Sequence, residues 1–143
     1  MLSNTTRYAL RAVIYLAKYS NEEKRIGIKK IAEDLTIPSP FLGKILQTLA
    51  KHKLLLSNKG PNGGFAFPSE SDDVTLYDIV KIIDGDDMFT KCLLTENKCA
   101  EEGKFCTVHD QYQSIRNDLK KMFMENTIKS FVETADNEKN MVF

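Results

Sequence analysis

Between Thr5 and Tyr19 the apolar residues Tyr8, Ala9, Ala12, Val13, Leu16 and Ala17 return at intervals of three and four, which predicts an amphipathic first helix. The spacing recurs in Ile28, Ile31, Ala32 and Leu35, with Lys29, Lys30, Glu33 and Asp34 on the other side, giving a short second helix. Thr36-Ile37-Pro38 interrupts the pattern, because a proline steers the residue before it away from helical geometry. Ser39-Pro40 then supplies a cap and a first-turn proline for a third helix running from about Pro40 to Lys51. Phe41, Leu42, Ile45, Leu46 and Leu49 form its apolar set, expected to face inward, and Ser39, Gly43, Lys44 and Gln47 are left for solvent or a ligand. Two short helices across a tight turn are either an ordinary helical hairpin or a helix-turn-helix whose second member enters the DNA major groove.

The next segment favours the second alternative. Leu54-Leu55-Leu56 and Phe65-Ala66-Phe67 are strand candidates around Ser57-Asn58-Lys59-Gly60-Pro61-Asn62-Gly63-Gly64, whose glycines and proline suit a tight turn. A helix-turn-helix followed by such a hairpin has the layout of a winged helix, with Lys59, Asn62 and Gly63 at a tip able to reach a phosphate or the minor groove. A plain connecting hairpin is the competing reading. Thr75-Leu76-Tyr77-Asp78 resembles a capping box, and Leu76, Ile79, Val80, Ile82 and Ile83 make the helix behind it apolar, fit to complete the core against the first helix.

Residues 90–107 keep no period and read as an irregular loop. A long helix follows from about Val108 to Asn126, where Tyr112, Ile115, Leu119 and Met122 make a narrow seam of the kind that pairs with a second chain. Thr127 restarts a short helix through Ile128, Phe131 and Val132, and the tail from Asp136 is polar. The expected fold is therefore mainly α with a small β-hairpin wing. A winged helix-turn-helix DNA-binding domain covers residues 1–84, a cysteine-bearing loop 85–107, a dimerisation helix and short C-terminal helix 108–135, and a tail 136–143.

Charge sharpens this picture. The 143 residues carry no net charge, yet residues 1–68 hold 11 Lys and Arg against 4 Asp and Glu, while residues 69–143 hold 9 against 16. A basic half facing a polyanion and an acidic half with another task account for the split; two merely solvated faces do so as well. No stretch reaches the roughly 18 apolar residues of a membrane span. The first apolar run is interrupted by Arg11 and lacks a cleavage site, so no signal peptide is expected and the cytoplasm is the default compartment.

The candidate chemistry is concentrated in one place. Cys92, Cys99 and Cys106 are the only cysteines, and with His109 they read C-x6-C-x6-C-x2-H. An odd cysteine count without an export signal speaks for thiolate chemistry over a disulfide framework. Soft sulfur ligands with an imidazole select an iron-sulfur cluster or zinc. The competing readings are cysteines buried as small hydrophobes and a His109 that simply occupies the first turn of the long helix. His52, between Lys51 and Lys53, is expected to be solvated. A thiolate nucleophile activated by His109 would be an enzyme's device, but no phosphate loop, carboxylate pair or pocket motif accompanies it, and the chain is not expected to be an enzyme.

Thr6-Arg7-Tyr8-Ala9-Leu10-Arg11-Ala12, the stretch from Ile31-Ala32 to Leu49, Gly60-Pro61-Asn62-Gly63-Gly64, Thr75-Leu76 and the cysteine triplet together resemble the bacterial winged-helix regulators typified by IscR and NsrR, over nearly the whole chain up to about Val132. The resemblance implies a homodimer on a near-palindromic double-stranded operator, with a cluster that reports iron-sulfur supply, nitric oxide or redox state. It implies Cys92, Cys99 and Cys106 as ligands, with His109 matching the fourth ligand of the IscR-like branch. A 2Fe-2S cluster is expected ahead of a 4Fe-4S cluster, with structural zinc or a cluster-free thiol switch as alternatives. Arg7 stands where NsrR-like members can carry a ligating aspartate, Gly43 where a glutamate often lies on the recognition helix, and Lys59 where an arginine usually enters the minor groove. The cysteine gaps are longer than is usual. Ser39, Pro40, Phe41 and Lys44 are expected at the major groove, and Lys29, Lys30 and Lys59 on phosphate or in the minor groove.

Overall fold

The computed structural model describes residues 1–99 and 106–137. Helix α1 (Asn4–Tyr19) begins at Ser3, whose hydroxyl accepts from the Thr6 N–H, and Ser3 is itself held by the Asp84 carboxylate. Its buried Ala9, Ala12, Val13 and Leu16 pack against α2 (Ile28–Leu35), α3 (Ser39–Lys51) and α4 (Leu76–Ile83). The alanines let the helices approach closely, and Leu42, Leu46, Leu49, Ile31 and Ile79 fill the space between them.

The turn between α2 and α3 is closed by Thr36 in the left-handed region, with the Ile37 N–H donating back to the Ala32 carbonyl. Helix α3 starts one residue earlier than the sequence suggests. Pro38 is its cap, and Ser39 lies inside the first turn without making a side-chain cap. The strands are also displaced: β1 (Leu56–Asn58) pairs antiparallel with β2 (Gly64–Ala66), Leu56 opposite Ala66 and Asn58 opposite Gly64. Leu54 and Leu55 are buried in the core but precede the strand, because Lys53 turns the chain with a positive φ of 60°.

The Thr75–Asp78 capping box is present, and α4 packs on α1 as expected. A second apolar cluster, Val80, Phe89 and Phe123, ties α4 to two further helices, α5 (Asp87–Thr90) and α6 (His109–Glu125). Phe89 stacks between Tyr77 and Phe123 at centroid distances of 5.2 and 5.4 Å, fixing the entry to the cysteine loop. Helix α7 (Ile128–Asn137) returns to α1, with Ile128 fully buried and Lys18 paired to Asp136. The middle of the cysteine loop, 100–105, and the end of the tail, 138–143, lie outside the described residues.

Candidate nucleic-acid interface and cysteine loop

The wing, α2 and α3 enclose a groove of about 1020 Å³ lined by Lys29, Gln47, Lys51, Asn58, Lys59 and Gly63 among others. Three cations from three elements thus converge on one concave surface, and the uncapped N-terminus of α2 at Gly27 and Ile28 opens into it. Such an arrangement suits a polyanion, since lysines and free helix N–H groups both favour phosphate. Of the predicted contacts, Lys29 and Lys59 are brought together here, with Gly63 at the edge. Asn62 is exposed at the wing tip.

Ser39, Pro40 and Lys44 are exposed on α3. Phe41 is not part of the inward set: it is 63% exposed, on the outer side of the first turn of α3, while Leu42 takes the buried position. It shares the exposed surface of α3 with Lys44. Lys30 is separated from the groove. It pairs with Asp34 at 2.7 Å and lines another cleft, with Tyr15, Tyr19, Lys24 and Arg25. Lys51 and Asn58 were not singled out from the sequence; their spacing from Lys29 and Lys59 along the chain hides a proximity that only the hairpin creates.

At the other end of the molecule the cysteine loop is closed by backbone bonds. The Cys92 N–H donates to the Asn97 carbonyl and the Cys99 N–H to the Thr90 carbonyl, both at 2.9 Å. His109 opens α6, only 4% exposed, with its Nδ1 3.0 Å from the Cys99 Sγ. The expectation of His109 in the first turn of the helix and the expectation of His109 beside a cysteine thus both describe one position. The Cys92 thiol is lowered to about 7, first by the backbone N–H of Leu94, then by the Thr95 hydroxyl, with the Cys106 thiol a smaller contributor. Of the four donors, Cys99 and His109 are in direct side-chain contact. Among the described residues no three His, Cys, Asp or Glu side chains are placed to hold one metal ion. Three thiols and an imidazole suit an iron-sulfur cluster or zinc by donor chemistry.

With that geometry in view, comparison with known proteins is informative. Residues 2–134 match the Rrf2 family, described as iron-dependent transcriptional regulators. The chain belongs to the Rrf2 family. It is 35% identical over 137 residues to a putative HTH-type transcriptional regulator of Aquifex aeolicus (strain VF5), covering 95% of this chain and 94% of that protein. Among solved structures it is similar to CymR of B. subtilis, titled the global cysteine regulator, with a TM-score of 0.78 at 24% identity, covering 95% of this chain and 98% of that one. It is also similar to T. potens IscR, with a TM-score of 0.75 at 18% identity over 100% and 93% of the two chains. These likenesses confirm the winged-helix fold, mainly helical with a two-stranded hairpin. As an Rrf2 protein it is a DNA-binding transcription regulator, and regulators of this family are not enzymes. Among the described residues no helix is long and apolar enough to cross a membrane.

Proposed function

We propose that this Rrf2 protein is a homodimer whose affinity for a near-palindromic operator is set by an iron-sulfur cluster, 2Fe-2S in preference to 4Fe-4S, held by Cys92, Cys99, Cys106 and His109. The observation that carries the reading is the contact of Cys99 with His109, the first residue of α6, which ties the cysteine loop to that helix. The Rrf2 description as iron-dependent and the likeness to an IscR support the choice of metal. When bound, such a cluster supplies a group sensitive to redox state, nitric oxide and iron-sulfur supply.

The chain's own residues do the rest. His109 and Cys99 hold the loop to α6, Phe89 fixes its entry, and α6 presents Ile115 and Met122, 65% and 47% exposed, as a face for the second protomer. A change in the loop thereby biases the spacing of two DNA-reading heads that must match half-sites one helical turn apart. On the DNA, Ser39, Pro40, Phe41 and Lys44 address the major groove, and Lys59 with Asn62 and Gly63 the minor groove. Lys29 takes a phosphate, with Lys30 beside it once released from Asp34.

A second reading is favoured by the Cys92 thiol, lowered to about 7 first by the Leu94 backbone N–H, which suits a cluster-free thiol switch. The CymR likeness, titled a global cysteine regulator, points the same way. The deciding measurement is iron, zinc and acid-labile sulfide per chain on protein purified without oxygen, followed by operator binding of loaded and metal-free forms at matched salt. Comparable iron and sulfide with unequal affinities are expected. Zinc without sulfide assigns the donors to a zinc site, and absence of metal after reconstitution leaves the thiol switch.

A further inference from the structure

Arg116 is only 7% exposed, on the inner face of α6. Its Nη1 donates to the Lys91 carbonyl at 2.8 Å, and its guanidinium lies 5.4 Å from the centre of the Tyr112 ring. Its Nε has no hydrogen-bond partner among the described residues, and none of their carboxylates forms an ion pair with it. An arginine keeps its charge at any ordinary pH, and burying that charge without a counterion is costly.

His109, Tyr112 and Arg116 stand at i, i+3 and i+7 and share one face of the helix. His109 reaches Cys99, and Arg116 reaches the carbonyl of the residue immediately before Cys92. One helix face thus holds both ends of the 92–99 segment. The exposed Ile115 and Met122 each precede a buried member of that face, Arg116 or Phe123, by one residue, about 100° around the axis. The guanidinium sits on the carbonyl of the residue before Cys92, where it would attract any negative charge the loop holds.

We propose that Arg116 is the positioning residue that latches the cysteine loop to α6, through the Lys91 carbonyl and by supplying the countercharge to an anionic, thiolate-held group. This rests on the loop being the sensing element, as argued above. The test uses the full chain with Arg116→Met, which removes the buried charge for an apolar side chain of similar reach, and Arg116→Lys, which keeps the charge but not the planar fork.

In metal-free protein, hydrogen exchange reads the Cys92 and Cys99 amides. R116M is expected to speed both by about tenfold, the scale of one lost charge-assisted hydrogen bond, while leaving the α3 amides unchanged. Unchanged exchange at the two cysteine amides overturns the latch. If R116M does not fold, the same amides are read in R116K, where full wild-type protection overturns it. In iron-loaded protein the reduction potential of the loop-held group is expected to move negative in R116M and back toward wild type in R116K, a pattern that loss of packing alone does not produce. Equal potentials in all three proteins overturn the countercharge. Operator affinity of the wild type with and without iron tests the sensor reading separately: equal affinities sink that reading, while the exchange result still decides the latch.

Discussion

Lys59 at the wing illustrates how little a single cation must do to matter. It is exposed, its ammonium is a point charge, and a phosphate contact releases condensed counterions from the duplex. Lys59→Ala is therefore expected to weaken specific and scrambled duplexes alike and to reduce the slope of log K against log salt by about 0.9 per protomer. Fluorescence anisotropy across a salt series measures it. A loss confined to the specific duplex with an unchanged slope would show base reading instead.

Tyr15 gives a second residue-scale prediction. Burial first, and then the 2.5 Å hydrogen bond to Asp34, push its phenol up to about 12 from the usual 10.0. The folded state keeps this proton after an unfolded tyrosine has lost it, so the contact's contribution is complete below pH 10 and is lost as the pH rises to about 12. Asp34 runs the other way: the Lys30 ammonium first, then the Tyr15 hydroxyl, lower its pKa. Its contribution is present above the unfolded value of 3.8 and lost as the pH falls through the lowered one. Urea melts of wild type and Tyr15→Phe should differ by a constant amount from pH 6 to 9 and converge above about pH 10, where the unfolded tyrosine ionises. A difference that persists undiminished to pH 12 would refute the assignment.

At the scale of elements, the wing depends on one glycine. Gly64 has a φ of +150°, and a Cβ there would stand 2.4 Å from the Ile26 carbonyl oxygen, in the bridge that joins Ile26 to Phe65. Neither atom can move without breaking that bridge. Gly64→Ala is expected to cost about 1–3 kcal/mol, the range for forced backbone strain, and to weaken operator binding by displacing Lys59. A thermal melt with wild-type midpoint would contradict it.

The helices and the hairpin's existence were legible because their signals are local: apolar spacing of three and four, Pro38 as a break, the Thr75–Asp78 box and a glycine-rich turn. The strand boundaries were not, since Leu54 and Leu55 are buried like strand residues but belong to the turn after α3. Nor was α5, a four-residue helix held by Phe89 through long-range stacking. In the candidate site the cysteine spacing exposed the donors, and the chain's basic half pointed to the groove. The contact of Cys99 with His109, ten residues apart, depends on three-dimensional closure of the loop. Arg116 escaped notice because a charged residue on an apolar face looks like solvent-side sequence.

For the molecule as a whole, the opposed charges now have places. The basic residues of 1–68 include the groove lysines, and the acidic excess of 69–143 falls on the half that carries the loop and α6. A half that repels phosphate cannot itself strengthen DNA binding, so its contribution to affinity has to come through holding two DNA-reading heads together. An available surface is the α6 face with Ile115 and Met122, apolar and exposed beside the face on which Arg116 and Phe123 are buried. Ile115→Glu places one carboxylate on each side of a two-fold contact, where like charges would meet without water. The variant is expected to keep its helical content, because Ile115 touches solvent in the single chain, yet to sediment as a monomer whose thermal midpoint no longer rises with protein concentration. Each monomer then engages one half-site without the effective concentration that linkage supplies, so operator affinity should fall by at least about a hundredfold while binding to an isolated half-site stays the same. An Ile115→Glu protein that remains dimeric would move the protomer contact to another face of the molecule.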